Sequence, residues 1–322
     1  MILFEEDWER EGAFPDWKTS NKSFIEVVGL YRRMGIKNYA WPLALYDSDL
    51  VGVDPFDPNL TSTMVEKITL ECKINPLYFF REIARDPSGS AEFPIKFNAN
   101  RGILAAYWLF FNHILFVLIM IRQTGKSFGI DWLNIYLLNI GATKTEISAL
   151  LKDEKLRGRC LERLKSMELT LPYYLKQRSV KDPGNTEVLR VSALGNTFKG
   201  YVPNRSPKLA DLIGRGMTSA TIECDEFAYT SCNWITVPVM LSSSLAAREV
   251  ARLKNEPYGT ILMTTTGKRD TPEGRYAYNF VQNCAIFSEK MYDCKNPEAL
   301  VAMILKAGNG KDVRVCYARG DG

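Results

Sequence analysis

From about residue 95 onward the chain alternates between strand-like and helix-like hydrophobic patterns. The strongest signal is Ile103 to Ile121, ILAAYWLFFNHILFVLIMI, broken at its middle by Asn112 and His113 and flanked by Arg101 and Arg122. Its length is about that of a membrane span, but the polar pair divides it into a buried helix (102–112) and a strand (114–121), and no membrane is expected. The strand half, ILFVLIMI, is apolar without alternation. That suits a central strand of a parallel sheet covered on both faces. Next, SFGIDWLNIYLL predicts a helix and LLNIGA (137–142) a strand. The stretch 143–167 predicts a long amphipathic helix, with apolar residues at 147, 150, 151, 161, 164 and 167. EVLRVSAL (187–194) reads as a strand followed by a loop rich in Gly, Pro and Asn. SATIECDE (219–226) and GTILMTTTG (259–267) read as strands, with a helix over 242–254 between them. Strands separated by helices imply a wound, mainly parallel α/β sheet.

Residues 1–92 carry a different pattern and are expected to form a mostly helical, lid-type N-terminal subdomain ahead of a core spanning 93–322. SFIEVVGLYRRMG (23–35) places Phe24, Val27, Val28 and Tyr31 on one stripe. Thr63 and Glu66 suggest a capping box, and Asn75-Pro76 an N-cap followed by a first-turn proline. The boundary is placed in DPSGSAEFP (86–94).

Composition removes several classes. The 322 residues are 46% hydrophobic and 24% charged, with a formal net charge of +4, an ordinary globular balance. One histidine leaves no room for a His-based nucleophilic triad. The seven cysteines form no C-x-x-C pair. They read as buried thiols of a reducing compartment rather than a zinc set or a disulfide framework. The N-terminal MILFEEDWEREG has no signal-peptide pattern.

The chemistry is concentrated at the ends of predicted strands. Ile121-Arg122-Gln123-Thr124-Gly125-Lys126-Ser127 follows a buried strand and opens a helix, the context a phosphate loop needs. Lys126 would face the β- and γ-phosphates of ATP, and the Ser127 hydroxyl would ligate Mg²⁺. Met120 stands where the first glycine of G-x-x-x-x-G-K-[ST] is usual, and G-K-S alone recurs by chance. About 100 residues on, Asp225 ends a strand where it could hold Mg²⁺, and Glu226 follows as a candidate general base. The bland alternative is an acidic strand end. Thr264, Thr265 and Thr266 close a further strand, where ligands bind in such sheets, although β-branched residues favour strands in any case.

Together these residues resemble the ATPase of tailed-bacteriophage large terminases. That family's phosphate loop often reads R-Q-x-G-K-[ST], as Arg122 to Ser127 do. Its acidic pair matches Asp225-Glu226, followed by Phe227-Ala228. Its T-T-T coupling motif matches Thr264–Thr266, and its R-G pair matches Arg215-Gly216. The likeness covers roughly residues 95–290. It implies a P-loop NTPase of RecA-like (ASCE) class that hydrolyses ATP with Mg²⁺. It implies Arg122 acting in cis on the γ-phosphate and Arg215 as a finger supplied in trans, an arrangement generally worth ~10³–10⁵ in rate. It assigns phosphate-loop contacts to Gln123, Thr124, Gly125, Lys126 and Ser127. Its adenine motif falls on 97–102, where Asn100 and Arg101 are the candidate base contacts.

The implied partners are double-stranded DNA, a portal protein, a small terminase subunit and further copies of the chain in a ring, a pentamer on the procapsid, with a monomer in isolation. The implied place is the host cytoplasm. The family's nuclease domain, with its clustered aspartates, has no counterpart before Gly322, so no nuclease activity is expected of this chain. Residues 151–182 hold nine Lys/Arg against five Asp/Glu, a solvated helix face or a surface tracking DNA phosphates. Lys199, Arg205 and Lys208 are similar candidates. A helicase-like ATPase of the same sheet class and a nucleotide-gated docking protein with little turnover are the alternatives.

Overall fold

The computed structural model describes residues 1–88, 95–265, 267, 270–308 and 312–319. Its centre is an eight-stranded sheet. In chain order the strands are β1 (Leu115–Met120), β2 (Glu146–Leu151), β3 (Val188–Val191), β4 (Asn196–Tyr201), β5 (Thr221–Asp225), β6 (Gly259–Thr264), β7 (Ala285–Ile286) and β8 (Arg314–Arg319). Across the sheet they run β7-β8-β1-β6-β5-β2-β4-β3. Every pairing is parallel except that of β3 with β4, at one edge. The predicted α/β class is therefore the observed one. β6 lies between the strand that leads into the phosphate loop and the strand that ends at Asp225, which is the RecA-like order of a P-loop NTPase.

The strands sort their residues by parity. Val117, Leu150, Ile222, Cys224, Leu262 and Cys316 belong to one core cluster. It is completed by Val237 and Met240 of helix α8 (Asn233–Ser243) and by Ala277 and Phe280 of α10 (Pro272–Gln282). Phe116, Leu118, Ala149, Leu151, Ile261, Met263, Val315 and Tyr317 point to the other face. That face is covered by α4 (Arg101–Phe111), α5 (Lys126–Tyr136) and α6 (Glu154–Leu169). The longest apolar run is thus α4 plus β1, and no helix among the described residues is long and apolar enough to cross a membrane.

The N-terminal helices α1 (Glu5–Glu11), α2 (Lys22–Arg33) and α3 (Ser62–Ile74) are joined to this second face by packing. Phe24, Val27, Val28 and Tyr31 are buried, as their spacing predicts. Tyr31 packs against Tyr292 with the rings tilted at 54°, and Trp108 Nε1 donates to Leu3 O at 2.9 Å. Asn75 caps the turn that begins at Pro76, as expected. The cap of α3 is Thr61, whose hydroxyl accepts from Met64 N (3.2 Å), rather than Thr63. Of the expected boundary at 86–94, residues 89–94 lie outside the described ones. All seven cysteines are buried free thiols.

Two expectations fail around residues 137–151. Leu137–Gly141 is not a strand but a π-helical turn that prolongs α5, and the strand is Glu146–Leu151, inside the stretch read as helix. Apolar residues at 147, 150 and 151 fit both periods, and a short apolar run cannot decide between them. Pairing with β5 and β4 decides it. α6 starts only at Glu154, after the cap Asp153 accepts from Leu156 N (2.8 Å). β4 occupies a stretch read as loop, because Asn196 and Gly200 mask its alternating burial. The helix predicted over 242–254 is the end of α8 plus a separate α9 (Leu245–Leu253). α7 (Pro207–Gly216), α11 (Pro297–Ala307) and β8 carried no assignment.

Asn196 holds the misread region together. Its amide nitrogen lies 3.2, 3.0 and 2.7 Å from the carbonyls of Leu137, Leu138 and Ala142, and its Oδ1 accepts from Thr145 N at 3.1 Å. The side chain is fully buried, so removing it strands several buried backbone groups. Asn196→Ala is expected to lose about 2–4 kcal/mol of stability in urea denaturation. A loss below about 0.5 kcal/mol, the scale of a neutral surface change, would show that these bonds do not hold the turn.

Candidate active site

The phosphate loop leaves β1 at Met120 and enters α5 at Lys126. Gln123 (φ 67°) and Gly125 (φ 78°) both take left-handed backbone. At Gly125, the N-cap, this costs no side-chain clash. No side chain caps α5, so its first N–H groups remain available to an anion. Thr124 Oγ1 donates to Ile121 O (2.8 Å), closing the loop on itself. Met120 is buried and packs on Gly102, where an added Cβ would lie 2.8 Å from the methionine sulfur. The position of the usual first glycine is therefore a core position here, and the loop does not need its backbone freedom.

Parallel pairing brings the other groups alongside. Thr264 pairs with Ile119 and Leu262 with Cys224, so β1, β6 and β5 end together. Lys126, only 6% exposed, reaches across to Asp225: Nζ donates to Oδ1 at 3.0 Å. Ser127 Oγ donates to Asp225 Oδ2 at 3.1 Å. Glu226 Oε1 is 3.7 Å from Lys126 Nζ. The N–H and hydroxyl of Thr265 both donate to Glu226 Oε2, at 3.4 and 3.2 Å. Glu226 itself sits at φ 57°, a non-glycine in the left-handed region. Such strain is characteristic of functional positions. An open cleft of about 250 Å³ is lined by Arg122, Gln123, Gly125, Lys126, Ser127, Glu226 and Thr265, among others.

The remaining predicted residues divide. Arg122 is exposed at the cleft and has no ion-pair partner among the described residues. Asn100 and Arg101 do not line the cleft and are engaged elsewhere. Asn100 caps α4 by accepting from Ile103 N (3.0 Å) and braces the loop by donating to Thr124 O (3.0 Å). Arg101 Nε bonds Glu289 Oε1 at 3.1 Å. Arg215 lies at the surface end of α7, bonded to Asp211 Oδ2 at 2.8 Å, and is not brought to the cleft of its own chain. Thr266 lies outside the described residues.

The sequence reading missed a buried acidic layer beneath the loop, although Glu223 in an apolar strand was the available signal. Asn134 Nδ2 on α5 donates to Glu223 Oε2 at 3.1 Å, while Glu223 Oε1 and Asn134 Oδ1 are buried without partners. Burial pushes the Glu223 carboxyl up to about 8, against the pull of Asn134 and with the push of Asp131 and Asp225. Burial likewise raises Asp131 to about 6, opposed by Arg163, to which it is bonded.

No protein-family model matches the chain, and no curated protein does. Among solved structures it is similar to the HK97 bacteriophage large terminase, 11% identical with a TM-score of 0.47; the match covers 79% of this chain and 43% of that one. The chain thus spans less than half the length of that protein. It is also similar to the Thermus phage P74-26 large terminase ATPase domain, 16% identical with a TM-score of 0.35 over 58% of this chain and 70% of the other.

The acidic layer gives a pH test. The folded chain keeps a proton on Glu223 that the unfolded chain releases above about 4.5. Stability is therefore expected to fall as pH rises from about 4.5 to about 8. Glu223→Gln, which keeps an acceptor for Asn134 Nδ2 without a proton to lose, is expected to flatten that slope in melting curves. A variant with the same slope as the parent would place the titration elsewhere.

Proposed function

We propose that this chain is the ATP-hydrolysing motor of a phage large terminase, which drives double-stranded DNA into a procapsid. The supporting observation is that Lys126, Ser127, Asp225, Glu226 and Thr265 lie within contact distance of one another at the ends of three neighbouring parallel strands. Without nucleotide, Lys126 neutralises Asp225. With ATP in the cleft, the lysine turns to the β- and γ-phosphates, and the helix N-terminus cradles them.

Ser127 and Asp225 are hard oxygen donors 3.1 Å apart. They fit Mg²⁺, which is commonly held by one or two protein groups plus phosphate. The ion supplies charge neutralisation to the transferred phosphoryl group. Glu226 orients and deprotonates the attacking water as general base. Arg122, at the rim and without an ion-pair partner among the described residues, stabilises the γ-phosphate in cis. Arg215, exposed on α7, acts on a neighbouring subunit's site. Thr265 binds Glu226 directly and reports the state of the γ-phosphate to the segment after β6.

The basic stretch 151–182 contributes less free charge than its composition suggests. Arg157, Arg163 and Arg178 are tied to Glu187, Asp131 and Glu168. The exposed Lys155, Arg159 and Lys181 are the better candidates for phosphate contacts.

In a DNA-stimulated phosphate-release assay, Lys126→Ala is expected to fall to background. Glu226→Gln is expected to lose ~10²–10⁴-fold in rate while still binding ATP. Undiminished turnover by the Lys126→Ala chain would overturn the proposal. Turnover near zero in the parent, even with DNA and portal present, would favour a nucleotide-gated docking role instead.

A further inference from the structure

A second cleft, of about 220 Å³, opens in the N-terminal region and shares no lining residue with the phosphate-loop cleft. Its wall includes Lys18, Thr19, Ser20, Phe56, Arg85 and Lys96. Arg85 is the anomaly. It is only 3% exposed, yet it forms no ion pair among the described residues. Nη1 donates to Ala84 O (3.1 Å), Nε is buried without a partner, and the guanidinium carbon lies 4.2 Å from the centre of the Phe56 ring. Burial lowers its pKa to about 10, incompletely offset by Glu82 and Asp54.

The carboxylates of this cleft are already committed. Glu82 accepts from Arg81 Nε (3.0 Å), from Lys96 Nζ (3.0 Å) and from the Thr19 hydroxyl. Asp16 lies 3.7 Å from Arg81 and accepts from the backbone of Lys18 (3.0 Å). Asp54 is exposed and accepts from Phe56 N (3.0 Å). Lys18 is exposed at the cleft and has no carboxylate partner among the described residues. Counting Arg81, four cations face three carboxylates here, so one positive charge is left over, and Arg85 and Lys18 are the two cations that no carboxylate contacts among the described residues. A buried guanidinium without a counter-charge is unfavourable, and its planar fork matches two oxygens of an oxyanion. The concavity excludes a duplex backbone from a side chain so deeply buried.

We propose that this cleft is a second anion site, taking the phosphate group of a small molecule on Arg85 with Lys18 at its mouth. The group comes either as free inorganic phosphate or on a nucleotide. The site does not depend on the reading of the phosphate loop.

The test uses the full chain carrying Lys126→Ala, which weakens phosphate binding at the other cleft. Inorganic phosphate is titrated calorimetrically, with ionic strength held constant by chloride. A saturable one-site isotherm is expected. Adding Arg85→Gln should weaken it ~10–100-fold, and adding Lys18→Ala ~2–5-fold. Displacement of phosphate by ADP would assign the group to a nucleotide, and no displacement to the free ion. If circular dichroism shows that Arg85→Gln does not fold, Lys18→Ala at its exposed position decides. No saturable binding in a Lys126→Ala chain that circular dichroism shows to be folded, or affinity unmoved by either added substitution that folds, overturns the proposal.

Discussion

The buried contact between Lys126 and Asp225 is the constraint on which the rest of the site depends. It joins the first residue of α5 to the last residue of β5, two strands away across the sheet. It exists only because β6 is threaded between β1 and β5 in parallel register, so that all three strands finish at one level. A slip by one residue would turn Asp225 to the opposite face, leaving a lysine that is 6% exposed without a counter-charge. Breaking a buried pair by removing one partner is strongly destabilising. The same pair is therefore a structural clasp and, under the proposed function, a place holder: an incoming polyphosphate would take the lysine while the carboxylate turned to a cation.

The electrostatics beneath the loop support that exchange. Asp131, Glu223, Asp225 and Glu226 are grouped around two cations, Lys126 and Arg163. With every carboxylate ionised, the loop would sit over an excess of negative charge, opposed to binding ATP. Holding Glu223 neutral against Asn134 removes one of these charges and ties β5 to α5 just below the site. Asn100 acts from the other side, fixing the loop to the N-terminus of α4 through Thr124. The loop's shape thus rests on neighbours on both sides rather than on a first glycine.

Much of this was legible in sequence because the decisive elements are strongly patterned. β1 is a continuous apolar run, and Lys126, Asp225 and Thr265 each stand at or just after a strand end. What was lost was lost for physical reasons. Ile147, Leu150 and Leu151 satisfy helix and strand periods alike, and only pairing with β4 and β5 resolves them. Asn196 looks like a loop residue but is buried because three carbonyls need its amide. Arg101 looked like a base contact, yet Glu289, distant in sequence, engages it. Glu223 interrupts an apolar strand, and its partner Asn134 lies on a different element.

The most direct measurement is a high-resolution structure of the chain with a non-hydrolysable ATP analogue and Mg²⁺. The expected result is that Lys126 Nζ has left Asp225 for the β- and γ-phosphates, that the phosphates lie against the first turn of α5, and that Glu226 and Thr265 face the γ end. A nucleotide bound elsewhere, with the contact between Lys126 and Asp225 intact, would contradict the account.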